Sequence, residues 1–152
     1  MFSEAVEMPR GTFVGTPLYV APEMLNESLS GNFTDLWALG VIVYQMIVGS
    51  VPFTGKNQFE VYEKIKSRKL NFPSEIKPDA RDLLDRLLSL DPMQRFGVGL
   101  PGSGNTYSDV KNHPFFKGFD FTNLGEPPLP SDWRDEISKP QSIFTPVEQP
   151  EP

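Results

Sequence analysis

The sequence feature that most constrains the fold is an apolar run of about 13 residues, LWALGVIVYQMIV, at positions 36–48. Thr34 before it suits a helix N-cap, and Gly49 after it suits a helix C-terminus. We therefore predict a helix from about Asp35 to Val48, with Asp35 favoured at the positive end of the helix. Apolar side chains occupy every side of this helix, so it must be surrounded by protein. A membrane span needs roughly 20 apolar residues, so we predict a core helix and no membrane span.

The rest of the chain predicts a mainly α fold, with helices joined by long loops and little or no β-sheet. Pro22 suits the first position of a short helix, and Asn57 with Glu60 has the spacing of a capping box. Further along, leucines lie on one side of a predicted helix and charged residues on the opposite side, which is typical of an amphipathic helix. Strand signals are nearly absent. Besides the core helix, the pattern predicts a short helix after Pro22 and helices at 57–67, 79–90 and 108–112.

Charge and composition exclude several classes of function. The 152 residues carry a net charge of −6, and an acidic chain repels phosphate backbones, so we predict no nucleic-acid binding. The chain has no cysteine, which excludes disulfides and thiolate metal sites and fits a cytoplasmic location. The single histidine, His113, cannot form a histidine-based metal cluster alone. It lies between Asn112 and Pro114, so we predict a structural role in a turn.

A glycine-rich segment, Gly97–Gly102, has the pattern G-x-G-x-x-G found in some phosphate-binding loops. Such a loop requires a strand before it and a helix or a returning strand after it. Here a leucine-rich helix and a short turn precede the glycines, and Pro101 with further small residues follows. We therefore predict a flexible surface loop that holds no nucleotide.

Four segments resemble, in their order and spacing, the second half of the C-terminal lobe of a eukaryotic protein kinase. These segments resemble those of the AGC group of kinases, and within that group those of the phosphoinositide-dependent protein kinases. The resemblance implies a partial kinase C-terminal lobe at 11–125, after a leader at 1–10 that lacks D-F-G and before a Pro-rich disordered tail at 126–152. The segments are GTFVGTPLYVAPE (11–23), DLWALGVIVYQMIVGSVPF (35–53), ARDLLDRLLSLDPMQRFG (80–97) and NHPFF (112–116).

The resemblance implies roles for the residues that precede the A-P-E element. Thr12 matches the activation-loop phosphorylation site, where a phosphate adds nearly two negative charges and pairs with arginines. Thr16 matches the residue whose hydroxyl contacts the catalytic Asp and helps to position the substrate. Phe13, Pro17 and Val20 match the wall that receives the substrate residue after the phosphoacceptor. The alternatives are an unmodified loop threonine at position 12 and plain loop packing for the others.

The resemblance also implies a structural ion pair and a helix anchor. Glu23 of A-P-E pairs with Arg95, and the alternative is two exposed charges. Removing one partner of a buried pair costs about 3–5 kcal/mol. Asp35 matches the helix-start Asp that accepts backbone hydrogen bonds from the catalytic loop, with simple helix capping as the alternative. Trp37 and Gly40 belong to the same helix, which is the central pillar of the lobe.

The residues that a kinase uses to bind ATP are absent from this sequence. Phosphoryl transfer needs a Gly-rich loop, a strand Lys paired with a helix Glu, a catalytic-loop Asp and Asn, and the Asp of D-F-G. Neither H-R-D nor D-F-G occurs. We therefore predict no catalytic, cofactor-binding or metal-binding residue in this chain, and expect ATP and magnesium only in an intact parent kinase. Many relatives carry Glu where this chain has Gln45, and a neutral amide predicts no preference for a substrate arginine there.

Three hypotheses on function remain. The chain is part of a protein serine/threonine kinase and is inactive alone. Alternatively, it is a non-catalytic interaction module, in which the surface of the second predicted helix (57–67) and the activation segment bind kinase substrates or an upstream kinase that acts on Thr12. Finally, it is a truncated product without independent function. Leaving the core helix partly uncovered forfeits several kcal/mol at about 25 cal/mol per Å², so the isolated chain is expected to be marginal, sticky or partly molten.

Overall fold

The computed structural model of the chain describes residues 6–7, 17–27 and 29–123. The predicted site residues Thr12, Phe13 and Thr16 lie outside the described residues, as does the predicted tail at 126–152. All the described helices belong to a compact unit that ends at Gly118. A second unit begins at Phe119, whose ring meets that of Phe121 edge to face at 4.7 Å between ring centres.

Helices dominate the described part of the chain, which confirms the mainly α prediction. The strands found there are two residues long each and pair antiparallel, with Val6 opposite Ser30 and Glu7 opposite Leu29. None of the described helices is long and apolar enough to cross a membrane. The elements are β1 (Val6–Glu7), α1 (Pro22–Asn26), β2 (Leu29–Ser30), α2 (Asn32–Val48), α3 (Gln58–Lys66), α4 (Pro78–Leu87) and α5 (Tyr107–Lys111), with 3-10 turns at Pro17–Tyr19, Pro92–Gln94 and Pro114–Phe116.

The central helix, α2, begins three residues earlier than predicted. Its N-cap is Gly31, not Thr34, because the Thr34 hydroxyl lies inside the first turn and accepts the Gly31 N–H at 3.2 Å. A hydroxyl at this position satisfies one of the free donors of the helix start from within. The predicted end is confirmed, since Gly49 has φ 81° and donates its N–H to the Gln45 carbonyl at 2.8 Å.

Helix α3 starts as the sequence predicts. The Asn57 side chain accepts the Glu60 N–H at 2.9 Å, which confirms the predicted N-cap. The reciprocal half of the capping box is shifted by one residue, because the Glu60 carboxylate accepts the N–H of Lys56 rather than that of Asn57.

Helix α4 ends at Leu87, three residues before the predicted end at Leu90. Carbonyls at its end accept hydrogen bonds from other parts of the chain instead of continuing the helix. Arg68 donates to the Leu88 carbonyl at 2.6 Å, and the Phe96 N–H donates to the Arg86 carbonyl at 3.1 Å.

Two apolar clusters pack on different sides of α2. One contains Trp37 and Val41 of α2, and the other joins Leu36 and Tyr44 to the leucines of α4. Gly40 allows α2 and α4 to approach closely, because a Cβ there would lie 2.9 Å from the Leu88 side chain.

A third side of α2 is open to solvent in the described structure. Met46 is 80% exposed, and Ile42 and Ile47 are also exposed. We call these three side chains the open face of α2. The described residues therefore cover two sides of a helix whose sequence is apolar all round.

Candidate functional site

The best-defined candidate site lies where the 3-10 turn Pro17–Tyr19 leads into α1. Ala21 is buried in the cluster around Trp37, and the partly buried Leu18 and Tyr19 pack on that cluster. Val20 is also buried, so its side chain contributes to packing in this structure. A short proline-started helix follows, and Glu23 in its first turn points inward.

Glu23 and Arg95 form a buried, two-pronged ion pair. The guanidinium nitrogens NH1 and NH2 of Arg95 lie 2.7 and 2.9 Å from the two carboxylate oxygens of Glu23. Both side chains are at most 1% exposed. The structure thus brings together two residues that are far apart in the sequence.

Arg95 uses every donor it has. Besides Glu23, it donates to the Phe33 carbonyl at 2.6 Å and, through two nitrogens, to the Ser89 carbonyl at 3.0 and 3.2 Å. A guanidinium has five N–H groups, and these contacts occupy all of them. Its carbon also lies 5.2 Å from the centre of the Trp37 ring, within cation–π range. A buried charge satisfied in this way fixes the ends of α1, α2 and α4 relative to one another.

Thr34 adds a third contact to the ion pair that the sequence alone does not reveal. Its hydroxyl donates to the Glu23 carboxylate at 3.3 Å while accepting the Gly31 N–H. The same oxygen therefore satisfies the start of α2 and supports the buried carboxylate.

Asp35 is exposed in the first turn of α2. The N-cap of α2 is Gly31, and Asp35 supplies the acidic side chain of the first turn. Its side chain also borders a cavity of about 390 Å³. The other lining residues are Asn32, Leu36, Leu39, Gly97 and Tyr107.

Trp37 and Gly40 hold the centre of the site. The indole of Trp37 is fully buried and stacks on Phe53 with 5.7 Å between ring centres. Within the described residues, its Nε1 is the one buried side-chain nitrogen or oxygen that lacks a hydrogen-bond partner. Buried donors are almost always paired in native proteins, so this unpaired N–H is an exception.

An exposed pair joins the 3-10 turn to the middle of α2. The Tyr19 hydroxyl donates to the Gln45 side-chain oxygen at 2.8 Å. The pair is neutral, so it offers no fixed negative charge beside the turn. This is the position at which the resemblance implies a glutamate in many kinases.

Hydrogen bonds brace the base of the Gly97–Gly102 loop, and the flexibility of the rest of the loop stays a prediction. The Asn105 side chain accepts the Gly97 N–H and donates to the Arg95 carbonyl, each at 3.1 Å. Gly97 has φ 107°, and a Cβ there would lie 3.0 Å from Leu36. Its role is therefore close packing beside the ion pair, while residues 100–104 remain exposed.

His113 has the structural role predicted for it in a turn. Its Nδ1 accepts the Phe115 N–H at 3.2 Å, and its Nε2 lies 2.8 Å from the Asp82 carboxylate. The ring also meets Phe96 edge to face. In the part of the chain that the structure describes, no group of three His, Cys, Asp or Glu side chains is arranged to hold a metal ion.

Two titratable groups near these elements have shifted pKa values. The Thr106 hydroxyl and N–H both donate to the Asp109 carboxylate at 2.6 Å, and these bonds hold the pKa of Asp109 below its ordinary value. Burial raises the pKa of Tyr44, whose hydroxyl donates to the Asn71 carbonyl at 2.6 Å.

Comparison with known proteins places the whole site within one family. Residues 2–116 match the protein kinase domain. The chain is 41% identical over 133 residues to 3-phosphoinositide-dependent protein kinase 1 of Arabidopsis thaliana, covering 86% of this chain and 26% of that protein.

Two further relatives agree. The human 3-phosphoinositide-dependent protein kinase 1 is 39% identical over 80% of this chain and 21% of its own length. A RAC family serine/threonine-protein kinase homolog of Dictyostelium discoideum is 40% identical over 79% of this chain and 25% of its own length. The chain thus spans roughly a fifth to a quarter of the curated relatives it matches.

Proposed function

Because the chain belongs to the protein kinase family, as an AGC-type serine/threonine kinase part, we propose that it forms the substrate platform of a kinase that transfers phosphate from ATP to protein Ser or Thr. The substrate platform is defined here as residues 17–23. The observation that carries the proposal is the buried Glu23–Arg95 pair, in which all guanidinium donors are used. That pair anchors the end of the activation segment, as the family resemblance implies.

Three features of α2 support an ATP-binding part that lies outside this sequence. Ile42, Met46 and Ile47 form the open face, and the Trp37 N–H lacks an acceptor within the described residues. Asp35 borders a cavity of about 390 Å³. We propose that the catalytic loop docks here, with backbone N–H groups on Asp35, and that ATP and magnesium bind in that other part. This chain alone is then catalytically incompetent.

The activation segment before the platform carries the finer proposals. We propose that an upstream kinase phosphorylates Thr12, and that Thr16 positions the substrate hydroxyl. Phe13, Pro17 and Val20 then receive the substrate residue after the phosphoacceptor. The neutral Tyr19–Gln45 pair supports a platform that does not select a substrate arginine. We also propose a cytoplasmic location and protein substrates as partners.

A chimera tests the proposed function. The chain is fused behind the part of the Arabidopsis thaliana relative that precedes the matching segment, and phosphate transfer from Mg-ATP to protein substrates is measured. We expect transfer by the chimera and none by the chain alone. A Glu23→Gln chimera is the matched control, and we expect its activity to fall at least about tenfold because Arg95 is left as an unpaired buried charge.

Two results would contradict the proposal. One is contaminant-free transfer by the chain alone. The other is a folded chimera that binds ATP but phosphorylates no protein.

The open face of α2 favours a second candidate function, a non-catalytic interaction module. Exposed Met46 and Ile42 on one side of a helix form a surface that another protein can cover. Pull-down of intact relatives by the chain would support this function. A Met46→Gln/Ile42→Gln variant that captures them equally well would contradict a role for this face.

A further inference from the structure

The turn that ends α3 contains an unusual arginine. Among the described non-glycine residues, Arg68 is the one with a positive φ, 47°. Its N–H donates to the Ile65 carbonyl at 3.0 Å, and the Lys69 N–H donates to the Lys64 carbonyl at 2.9 Å. These two bonds form the helix-ending motif in which glycine is the usual residue, because a side chain is strained in the left-handed conformation.

The side chain of Arg68 explains why an arginine is held there. Its Nε donates to the Leu88 carbonyl at 2.6 Å, and its NH2 donates to the Asp85 carbonyl and carboxylate at 3.1 and 2.6 Å. All three acceptors lie at the C-terminal end of α4, where helix carbonyls lack intrahelical partners. One planar group therefore joins the end of α3 to the end of α4.

Apolar packing of α3 is concentrated in a small number of side chains. Within the helix, Val61 and Ile65 are the buried side chains, and most of its other residues are exposed or half-buried. Polar contacts at the end of the helix add a defined orientation to this packing. The three contacts that Arg68 makes come from two nitrogens, Nε and NH2, of one planar guanidinium. They therefore fix a direction as well as a distance.

We propose that Arg68 is a positioning residue: it holds α3 against the end of α4 and accepts backbone strain to do so. We call its three side-chain contacts the Arg68 clamp. Helix α3 packs on α1 and on the 3-10 turn Pro17–Tyr19. The clamp therefore sets the position of the helix that borders the substrate platform. Only this last consequence rests on the proposed function, because the clamp itself is a property of the fold.

The backbone strain at Arg68 lowers the stability of the chain, whereas the clamp raises it. Variants that remove one or both of them should therefore differ in stability. Arg68→Gly removes both the strain and the clamp. Arg68→Leu keeps the strain and removes the clamp. Arg68→Lys keeps the charge but loses the fork. We expect the local stability of α3 to follow the clamp in all three variants, and the global stability to fall most in Arg68→Leu.

Amide hydrogen exchange of the full 152-residue chain tests this proposal. In Arg68→Gly we expect α3 amides to exchange about tenfold faster, the change expected when charge-assisted hydrogen bonds are lost. The amides of α2 serve as the internal reference and should change less than about twofold, with a nearly constant melting temperature. In Arg68→Leu the same α3 change should come with a lower melting temperature, because the strain remains.

Cleavage by a lysine-specific protease provides a second measurement where exchange is too fast to resolve. Lys64, Lys66 and Lys69 surround the turn, and cleavage there should accelerate about tenfold in Arg68→Gly. The proposal would be overturned if α3 exchanged its amides and was cleaved at the wild-type rates in both Arg68→Gly and Arg68→Leu. Neither measurement depends on kinase activity, so such a failure would leave the proposed function untouched, and an inactive chimera would leave the clamp untouched.

Discussion

Arg95 is the residue on which the candidate site depends most. It is fully buried and satisfies two backbone carbonyls, Phe33 and Ser89, in addition to the Glu23 carboxylate. A buried ion pair does not by itself stabilise a fold, because desolvation offsets the attraction between the charges. Its loss is nevertheless expensive, since whichever partner remains is an uncompensated charge in the core. At this site the arginine also donates hydrogen bonds to carbonyls at the start of α2 and just beyond the end of α4.

Substitution of either partner should therefore destabilise the chain. We expect Glu23→Gln and Arg95→Met each to lower the free energy of unfolding by about 3–5 kcal/mol. Urea unfolding measures the effect, and the double variant should recover part of it because no lone charge is left. The interpretation of Arg95 as a central support would fail if each single variant lost less than about 1 kcal/mol, the range of an exposed pair.

At the scale of a single element, α5 shows how a short helix is held by its cap. The pKa of Asp109 is lowered first by the Thr106 hydroxyl and then by the Thr106 N–H. Because the folded pKa is lower than the unfolded one, the stabilising contribution is fully present above the unfolded value of about 3.9. It is lost as the pH falls through the lower folded pKa.

Thr106→Val should raise the pKa of Asp109 towards its ordinary value, while Thr106→Ser should keep it low because the hydroxyl is retained. Titration of the Asp109 carboxyl by NMR measures both. An unchanged pKa in Thr106→Val would mean that the hydroxyl contact does not hold the carboxylate.

Helix α2 should respond differently to substitution on its open and covered sides. Met46→Gln on the open face should change the free energy of unfolding by less than about 0.5 kcal/mol and reduce the binding of a hydrophobic dye. Leu84→Ala, in the cluster that covers α2, should cost about 2–5 kcal/mol. Comparable losses in the two variants would show that the open face is already covered in solution.

At the scale of the whole molecule, the residues that the structure describes form a core but leave one side of the central helix uncovered. Exposed apolar side chains such as Ile42, Met46 and Ile47 contribute little to the hydrophobic stabilisation of the fold. Whole domains are stable by only about 5–15 kcal/mol. We therefore expect the isolated chain to unfold over a broad temperature range and to bind hydrophobic dye.

Calorimetry with a dye titration checks this expectation. The chimera described above is the control, because its added part should cover α2 and sharpen the transition. A sharp, cooperative transition of the isolated chain without dye binding would contradict the expectation.

Local sequence rules determined the features of this protein that depend on neighbours in the chain. Asn57 at the start of α3, Pro22 at the start of α1 and Gly49 at the end of α2 were predictable because capping acts over three or four residues. Apolar periodicity likewise located the central helix. The pairing of Glu23 with Arg95 was expected only through family resemblance, since no spacing rule joins residues so distant.

Tertiary structure alone decided where α4 ends, what Thr34 contacts and which backbone conformation Arg68 adopts. Helix α4 ends at Leu87 because Arg68 and Phe96 come from elsewhere and take its carbonyls. Thr34 moved from predicted cap to a support of Glu23, and Arg68 adopts a conformation that favours glycine. In each case a hydrogen bond to a distant partner outweighs a local preference of about 1 kcal/mol. Such partners are set by packing, which no short window of sequence contains.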